Sequence, residues 1–196
     1  MDSYLADRAD STHDLVMVFE HLSHNAADWI IAHPGDARWL LDQAWTVIKF
    51  IQGHRIVHFD GDLFNFVTDG TIVMLADHGL VMDPTFDLNA AERAFLDANQ
   101  HFDEGNLLLS FGHQVFWMYR ALPDAARHLI DVRVELDGRS FEADTTKLPI
   151  GESILDLLSR HDAAIVFMHE FYGSARRNWS TSTTLDDARL AQLIVA

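Results

Sequence analysis

Cysteine is absent from this 196-residue chain, which excludes disulfides and thiolate-held metals and is compatible with a reducing compartment. Positive charge is scarce: 14 Lys and Arg stand against 30 Asp and Glu, and only Lys49 and Lys147 are lysines. The resulting formal charge of -16 repels nucleic acid and anionic membrane surfaces and favours solubility or cationic partners. No stretch reaches the roughly 18 to 20 consecutive apolar residues of a membrane span. The N-terminus, MDSYLADRAD, is polar and acidic where a signal peptide needs a basic start and an apolar core. A cytoplasmic protein with no nucleic-acid or membrane partner is the expectation. With 48% hydrophobic residues the chain can fill one core. Residues 1–13 read as a flexible arm and 14–196 as a single domain, without internal repeats or low-complexity segments.

The elements follow from periodicity and punctuation. Leu15 to Phe19 is a short apolar run that reads as a buried strand. Asn25 is placed to cap a short helix that stops before His33-Pro34-Gly35, because the residue before proline avoids helical angles. Asp36 then offers the N-cap of a longer helix with Leu40, Ala44, Val47, Ile48 and Ile51 on one face and Gly53 as a left-handed C-cap. Phe66-Val67 and Thr71 to Leu75 are β-like runs forming a hairpin. Beyond it the chain reads as helical. Asn89 opens one helix, and Leu108 to Leu122 forms a stripe ended by Pro123. Residues 125–134 form another helix, followed by a loop over 138–146. Two separate helices are expected around Leu157 and around Ile165, and a last one opens on a capping box of Thr184 with Asp187.

Chemistry concentrates between His58 and Leu88. Phosphoryl transfer needs metal ions held against nucleotide phosphates and one carboxylate positioned to accept the proton of the attacking hydroxyl. Magnesium takes hard oxygen ligands and retains waters, so an Asp and an Asn from different loops suffice on the protein side. Asp77 and Asn65 have that chemistry, and Asp60, two residues after His58 and five before Asn65, suits the base.

Here a resemblance becomes specific. HFDGDLFN fits the HxDxxxxN catalytic loop of protein kinases and aminoglycoside phosphotransferases. Asp77-His78-Gly79 falls where their Asp-Phe-Gly metal motif belongs, and Asp83 to Leu88 looks like the DPxxDLA segment that follows it in small-molecule kinases of the aminoglycoside type. The resemblance implies an α+β, mainly α, kinase-like C-lobe whose short β-hairpin carries the catalytic and metal loops. It implies Asp60 as catalytic base, Asn65 and Asp77 as Mg²⁺ ligands, and ATP as the second cofactor. Phe19, Glu20, His21 and Leu22 would form the hinge against adenine. His58, Gly79 and Asp87 would support the site, with Asp87 hydrogen-bonding the catalytic-loop backbone. The chain departs from the family at His78, where phenylalanine is usual, and has no Ala-Pro-Glu anchor. About fourteen residues precede the hinge-like run, too few for a glycine-rich loop and strand lysine, so the small lobe (N-lobe) is expected to be absent. The acceptor implied is a small-molecule hydroxyl. The alternative is a non-catalytic, pseudokinase-like module that binds a protein supplying or replacing that lobe, or that pairs as a homodimer through an apolar face.

Other patterns compete. His58, Asp60 and Asp62 alternate, as metal ligands on a phosphohydrolase strand would. His21 with His24, or His169 with Glu170, could be read as metal pairs, but no third ligand follows at helical spacing. Trp29, Trp39, Trp45 and Trp117 fall in helical patterns and read as packing. Arg176 and Arg177 beside Trp179 form a basic pair suited to seating an anion in an otherwise acidic chain.

Overall fold

The computed structural model describes residues 20–121, 152–177 and 183–195, together with Thr12 and Val18. Strand β1 (His24–Asn25) leads directly into helix α1 (Ala26–Ala32), and Asn25 makes that transition possible. Its side chain accepts the Asp28 N–H at 2.7 Å, satisfying one of the donors that a helix start leaves without a partner. As expected, α1 ends before Pro34; a single turn, Pro34–Asp36, joins it to α2 (Ala37–Gly53). Asp36 does not cap α2. Its carboxylate accepts the Trp29 indole N–H at 3.2 Å, tying the linker back onto α1. Nor is Gly53 the left-handed residue: it completes the helix, and the positive φ of 61° falls two residues later at Arg55. Along α2, Leu40, Ala44 and Ile48 are buried as the periodicity requires, with Val47 and Ile51 half-buried against the same core.

The hairpin expected from the sequence is present as β2 (Phe66–Thr68) and β3 (Val73–Leu75), paired antiparallel with Phe66 opposite Leu75 and Thr68 opposite Val73. β1 adds to the other edge of β2, giving the order β1-β2-β3. The turn is set by Asp69, whose Oδ1 accepts the Thr71 and Ile72 N–H groups, and by Gly70 at φ 88°. A Cβ on Gly70 would stand 2.6 Å from the Trp29 ring, so glycine is required both for the backbone and for the close approach of α1. The strand expected over residues 15–19 is not seen where it can be checked: Val18 has no regular structure and is 91% exposed, and the other four residues lie outside those described.

After β3 come a single turn at His78–Leu80, then α3 (Ala90–Asp97), α4 (Phe102–Ala121), α5 (Glu152–Arg177) and α6 (Asp187–Val195). Asn89 and Glu92 form a reciprocal capping box at the start of α3. α4 and α5 make the most extensive helix pair, with Leu108, Phe111 and Val115 of α4 and Ile165 and Met168 of α5 buried in one core shared with α1 and α2. α5 runs unbroken where two helices are expected, since Ser159 to Ala164 contains neither glycine nor proline to interrupt the backbone hydrogen bonds. At α6 the expected capping box is replaced. Asp186 accepts the Arg189 N–H at 3.0 Å, while Asp187 turns to His101, accepting its backbone N–H and meeting its Nδ1, each at 2.8 Å. The described residues are thus mainly helical with one small antiparallel sheet. Among the described residues no helix is long and apolar enough to cross a membrane. The expected arm, apart from Thr12, and the expected helix over 125–134 and loop over 138–146 lie outside the described residues, as does Trp179.

Candidate active site

The segment between α2 and α3 is closed into a loop by one antiparallel bridge. Val57 and Met82 exchange backbone hydrogen bonds of 3.1 and 2.8 Å, so His58 to Val81 leaves and returns at a single point. Inside it the backbone is held by a residue that sequence reasoning missed. Asp103, on the first turn of α4 and 3% exposed, accepts the N–H of His58 at 2.6 Å and of Phe59 at 2.9 Å. The Gly61 N–H also acts on this carboxylate. Asp87, the residue expected in this role, is exposed and makes no hydrogen bond to the loop. Nothing local marks Asp103 in the sequence, because its partners lie some 45 residues earlier. Its one signal is an acidic residue at a helix N-terminus, which is common for reasons of the helix dipole.

Asp103 explains an unusual backbone. Phe59 has φ 62°, a left-handed angle that a bulky side chain adopts only when its surroundings impose it. Here the Asp103 carboxylate fixes the His58 and Phe59 amides, and the Phe59 ring stacks on Phe95 and lies tilted against Phe102. Asp60, next in the chain, is half-buried. Burial pushes the Asp103 carboxyl up to about 6 against the opposing pull of the three N–H groups.

Asn65 joins the two halves of the loop. Its Nδ2 donates to the Asp60 carbonyl at 2.7 Å, and its own carbonyl accepts the Ala76 N–H at 2.8 Å, one residue before Asp77. Because Nδ2 is committed to Asp60, the side-chain oxygen is left as an acceptor. Asp77 also has a left-handed backbone, φ 55° and ψ 68°, and its exposed carboxylate has no hydrogen-bond partner among the described residues. Gly79 follows in the single turn, where a Cβ would come within 3.3 Å of Asp77 Oδ1.

His58 is buried between these groups. Its ring, 1% exposed, lies edge-on to His78 at 5.4 Å, and both Asp60 and Asp77 are near enough to act on it electrostatically. Burial, then His78, hold its pKa below the ordinary histidine value, so it is neutral at pH 7. Neither ring nitrogen has a formed hydrogen bond, although the Ala76 backbone is close enough to oppose the shift. The hydrogen bond that ties His58 to the rest of the fold is made by its main-chain N–H, on Asp103.

Asp62 serves the loop itself. Its Oδ1 accepts the Phe64 N–H at 2.8 Å and the Asn65 N–H at 3.2 Å, and burial raises its pKa. His58, Asp60 and Asp62 are not on a strand, so their alternation does not direct them to one face as the phosphohydrolase pattern requires. No cluster of three His, Asp or Glu able to hold a metal exists among the described residues. The fit for magnesium is therefore narrow: one carboxylate, Asp77, and one amide oxygen, Asn65, tied together through Ala76, with the remaining positions left to water and phosphate oxygens.

The hinge expectation fares worse. Glu20 and His21 are exposed and Leu22 half-buried, none of them in a strand; Phe19 lies outside the described residues. Lys49, one of two lysines, pairs with Glu104, a buried residue of α4 that Gln52 also reaches at 2.8 Å. Lys147 lies outside the described residues. Trp117, expected to pack, is 58% exposed. It lines a cavity of about 650 Å³ between the loop of residues 58–81, α4 and α5, whose wall also includes Asp60, Asp62, Tyr172, Arg176 and Arg177. No protein-family model, no curated protein and no solved structure matches this chain.

Proposed function

We propose that the chain is a kinase-like phosphotransferase domain, related to the aminoglycoside phosphotransferase type and built as its C-lobe, that uses Mg²⁺ and ATP to phosphorylate a small-molecule hydroxyl. The observation that carries the reading is the hydrogen-bonded frame around Asp60. Asp103 holds the two amides before it, and Asn65 holds its carbonyl and reaches on to Ala76 beside Asp77. In this frame Asp60 orients the acceptor hydroxyl and takes its proton. Asn65 Oδ1 and the Asp77 carboxylate would hold Mg²⁺, which supplies charge neutralisation at the transferring phosphoryl group. Left-handed angles at Phe59 and Asp77, both at the site, support it further, because strained backbone persists where surrounding structure enforces a functional geometry.

The test is Mg²⁺-dependent release of ADP from ATP in the presence of a panel of hydroxyl compounds. Asp60→Asn is expected to lower turnover by roughly 10² to 10⁴-fold, the range for loss of a general base, with ATP affinity little changed. Asp77→Ala is expected to remove Mg²⁺-dependent nucleotide binding. A chain that binds no Mg·ATP, with Asp77→Ala indistinguishable from the parent, ends the catalytic reading.

A second reading has its own observation. Phe64, Ile72, Met74 and Leu80, all in the hairpin region, are exposed large apolar residues, and Lys49 is committed to Glu104. A non-catalytic domain that docks a partner protein or a second copy through these side chains would account for both. It is favoured if the chain shows no thermal shift with Mg·ATP and self-associates by light scattering, and rejected if the chain is monomeric and stabilised by nucleotide.

A further inference from the structure

The cavity beside Asp60 has a charge arrangement that the catalytic roles do not explain. Asp60 and Asp62 lie on its wall, and so do Arg176 and Arg177 from the last turn of α5. In a chain of formal charge -16, two adjacent guanidinium groups would be expected to find carboxylates. Among the described residues neither has an ion pair, whereas Arg38, Arg55 and Arg160 each do. Arginine is suited to this use, since its planar fork engages carboxylate or phosphate through two parallel hydrogen bonds. The same wall carries a fixed polar pair: the Tyr172 hydroxyl donates to Asn106 Oδ1 at 3.0 Å. The exposed Trp117 ring adds an apolar surface. A volume of about 650 Å³ is within the ordinary range for small-molecule sites and too small for a folded partner.

We infer that this cavity is a binding site for a small hydroxyl compound that also carries a carboxylate or phosphate group, the anion held by Arg176 and Arg177 and the hydroxyl directed to Asp60. The assignment of that hydroxyl as the phosphoryl acceptor rests on the phosphotransferase reading; the anion selectivity does not. Anionic and neutral compounds of equal size are discriminated by the arginine pair. The Asp60 and Asp62 carboxylates on the same wall disfavour an anion placed against them.

Calorimetric titration tests this with gluconate and glycerol 3-phosphate as anionic probes and glucose and glycerol as their neutral counterparts. The anionic probes are expected to bind at least ~10-fold more tightly, a difference of about 1.4 kcal/mol. The double variant Arg176→Gln/Arg177→Gln is expected to remove that preference, and Arg176→Lys/Arg177→Lys to recover part of it. Mg·ATP affinity is expected to stay within about twofold of the parent in both variants. Equal binding of anionic and neutral probes overturns the inference, as does anion binding that survives the double glutamine change. Loss of Mg·ATP binding in the double glutamine variant also overturns it, by assigning the arginines to nucleotide phosphates. Arginine-dependent anion binding without Mg²⁺-dependent phosphoryl transfer supports the anion site and rejects the phosphotransferase reading alone.

Discussion

Asp103 is both buried and surrounded by donors, and the two influences pull its ionisation in opposite directions. Burial wins, so the carboxyl titrates at about 6 in the folded chain against 3.8 unperturbed. A carboxyl raised on folding contributes stability that is fully present below its unfolded pKa and lost as pH rises through the folded value. At about 1.4 kcal/mol per pH unit, the contribution of Asp103 changes by about 3 kcal/mol between pH 3.8 and 6. His58 works in the other sense. Its lowered pKa gives stability present above the ordinary histidine value and lost as pH falls through the folded one. Comparing the chain with Asp103→Asn cancels His58 and isolates Asp103. The asparagine variant turns an NH₂ toward a backbone N–H and is expected to be less stable at every pH. The deficit is expected to be largest near pH 4 and to shrink by a few kcal/mol toward pH 7. Urea unfolding at several pH values measures it; a deficit independent of pH would mean that Asp103 titrates normally. Gly70 gives a second expectation at this scale. Alanine there meets both a φ of 88° and the Trp29 ring, so Gly70→Ala is expected to cost about 1 to 3 kcal/mol and to move tryptophan fluorescence.

At the scale of elements, what could be read from the sequence was whatever is decided locally. The hairpin was legible because Asp69-Gly70 separates two β-branched runs and Asp69 makes the turn with its own neighbours. The start of α1 at Asn25 and of α3 at Asn89 was legible for the same reason: the capping bonds are made within three residues. Where the deciding partner is distant, the reading failed. Thr184 with Asp187 has the spacing of a capping box, but His101 claims the Asp187 carboxylate from 86 residues away and Asp186 caps instead. Asp36 is likewise diverted by Trp29, and the loop support assigned to Asp87 is given by Asp103. The same distance rule divides the site: the spacing of Asp60, Asn65 and Asp77 is visible in one stretch, whereas the cavity wall on α4 and α5 is assembled only in three dimensions. The His101–Asp187 contact also holds α6 to the entry of α4, half-buried and charge-assisted when the imidazole is protonated. Asp187→Ala is expected to cost about 1 to 3 kcal/mol. Amide exchange should rise over Asp187–Val195 more than over α2, and protection unchanged in α6 would show that Leu190 and Ile194 hold the helix unaided.

Across the whole molecule, 30 carboxylates against 14 cationic side chains make self-repulsion a general cost of the folded state, screened over about 10 Å at 0.1 M salt. Part of that charge is gathered at one place: Asp60, Asp62 and Asp103 all act on Tyr172, whose hydroxyl is pushed up to about 12, first by burial and then by these carboxylates. Sodium chloride is therefore expected to raise the melting temperature by screening alone. Magnesium chloride at the same ionic strength separates screening from a site. If Asn65 and Asp77 hold the ion, Mg²⁺ at ten times its dissociation constant adds about 1.4 kcal/mol by mass action. For a chain of this size that is roughly 3 to 6 °C beyond the sodium effect. Asp77→Ala is expected to keep the sodium response and lose the magnesium increment. Asp69→Ala, which removes another exposed carboxylate, the one that makes the turn, is expected to keep both responses on a lower baseline. Equal melting temperatures in the two salts, in the parent chain, would place Mg²⁺ in the diffuse ion atmosphere and remove the metal from the proposed chemistry.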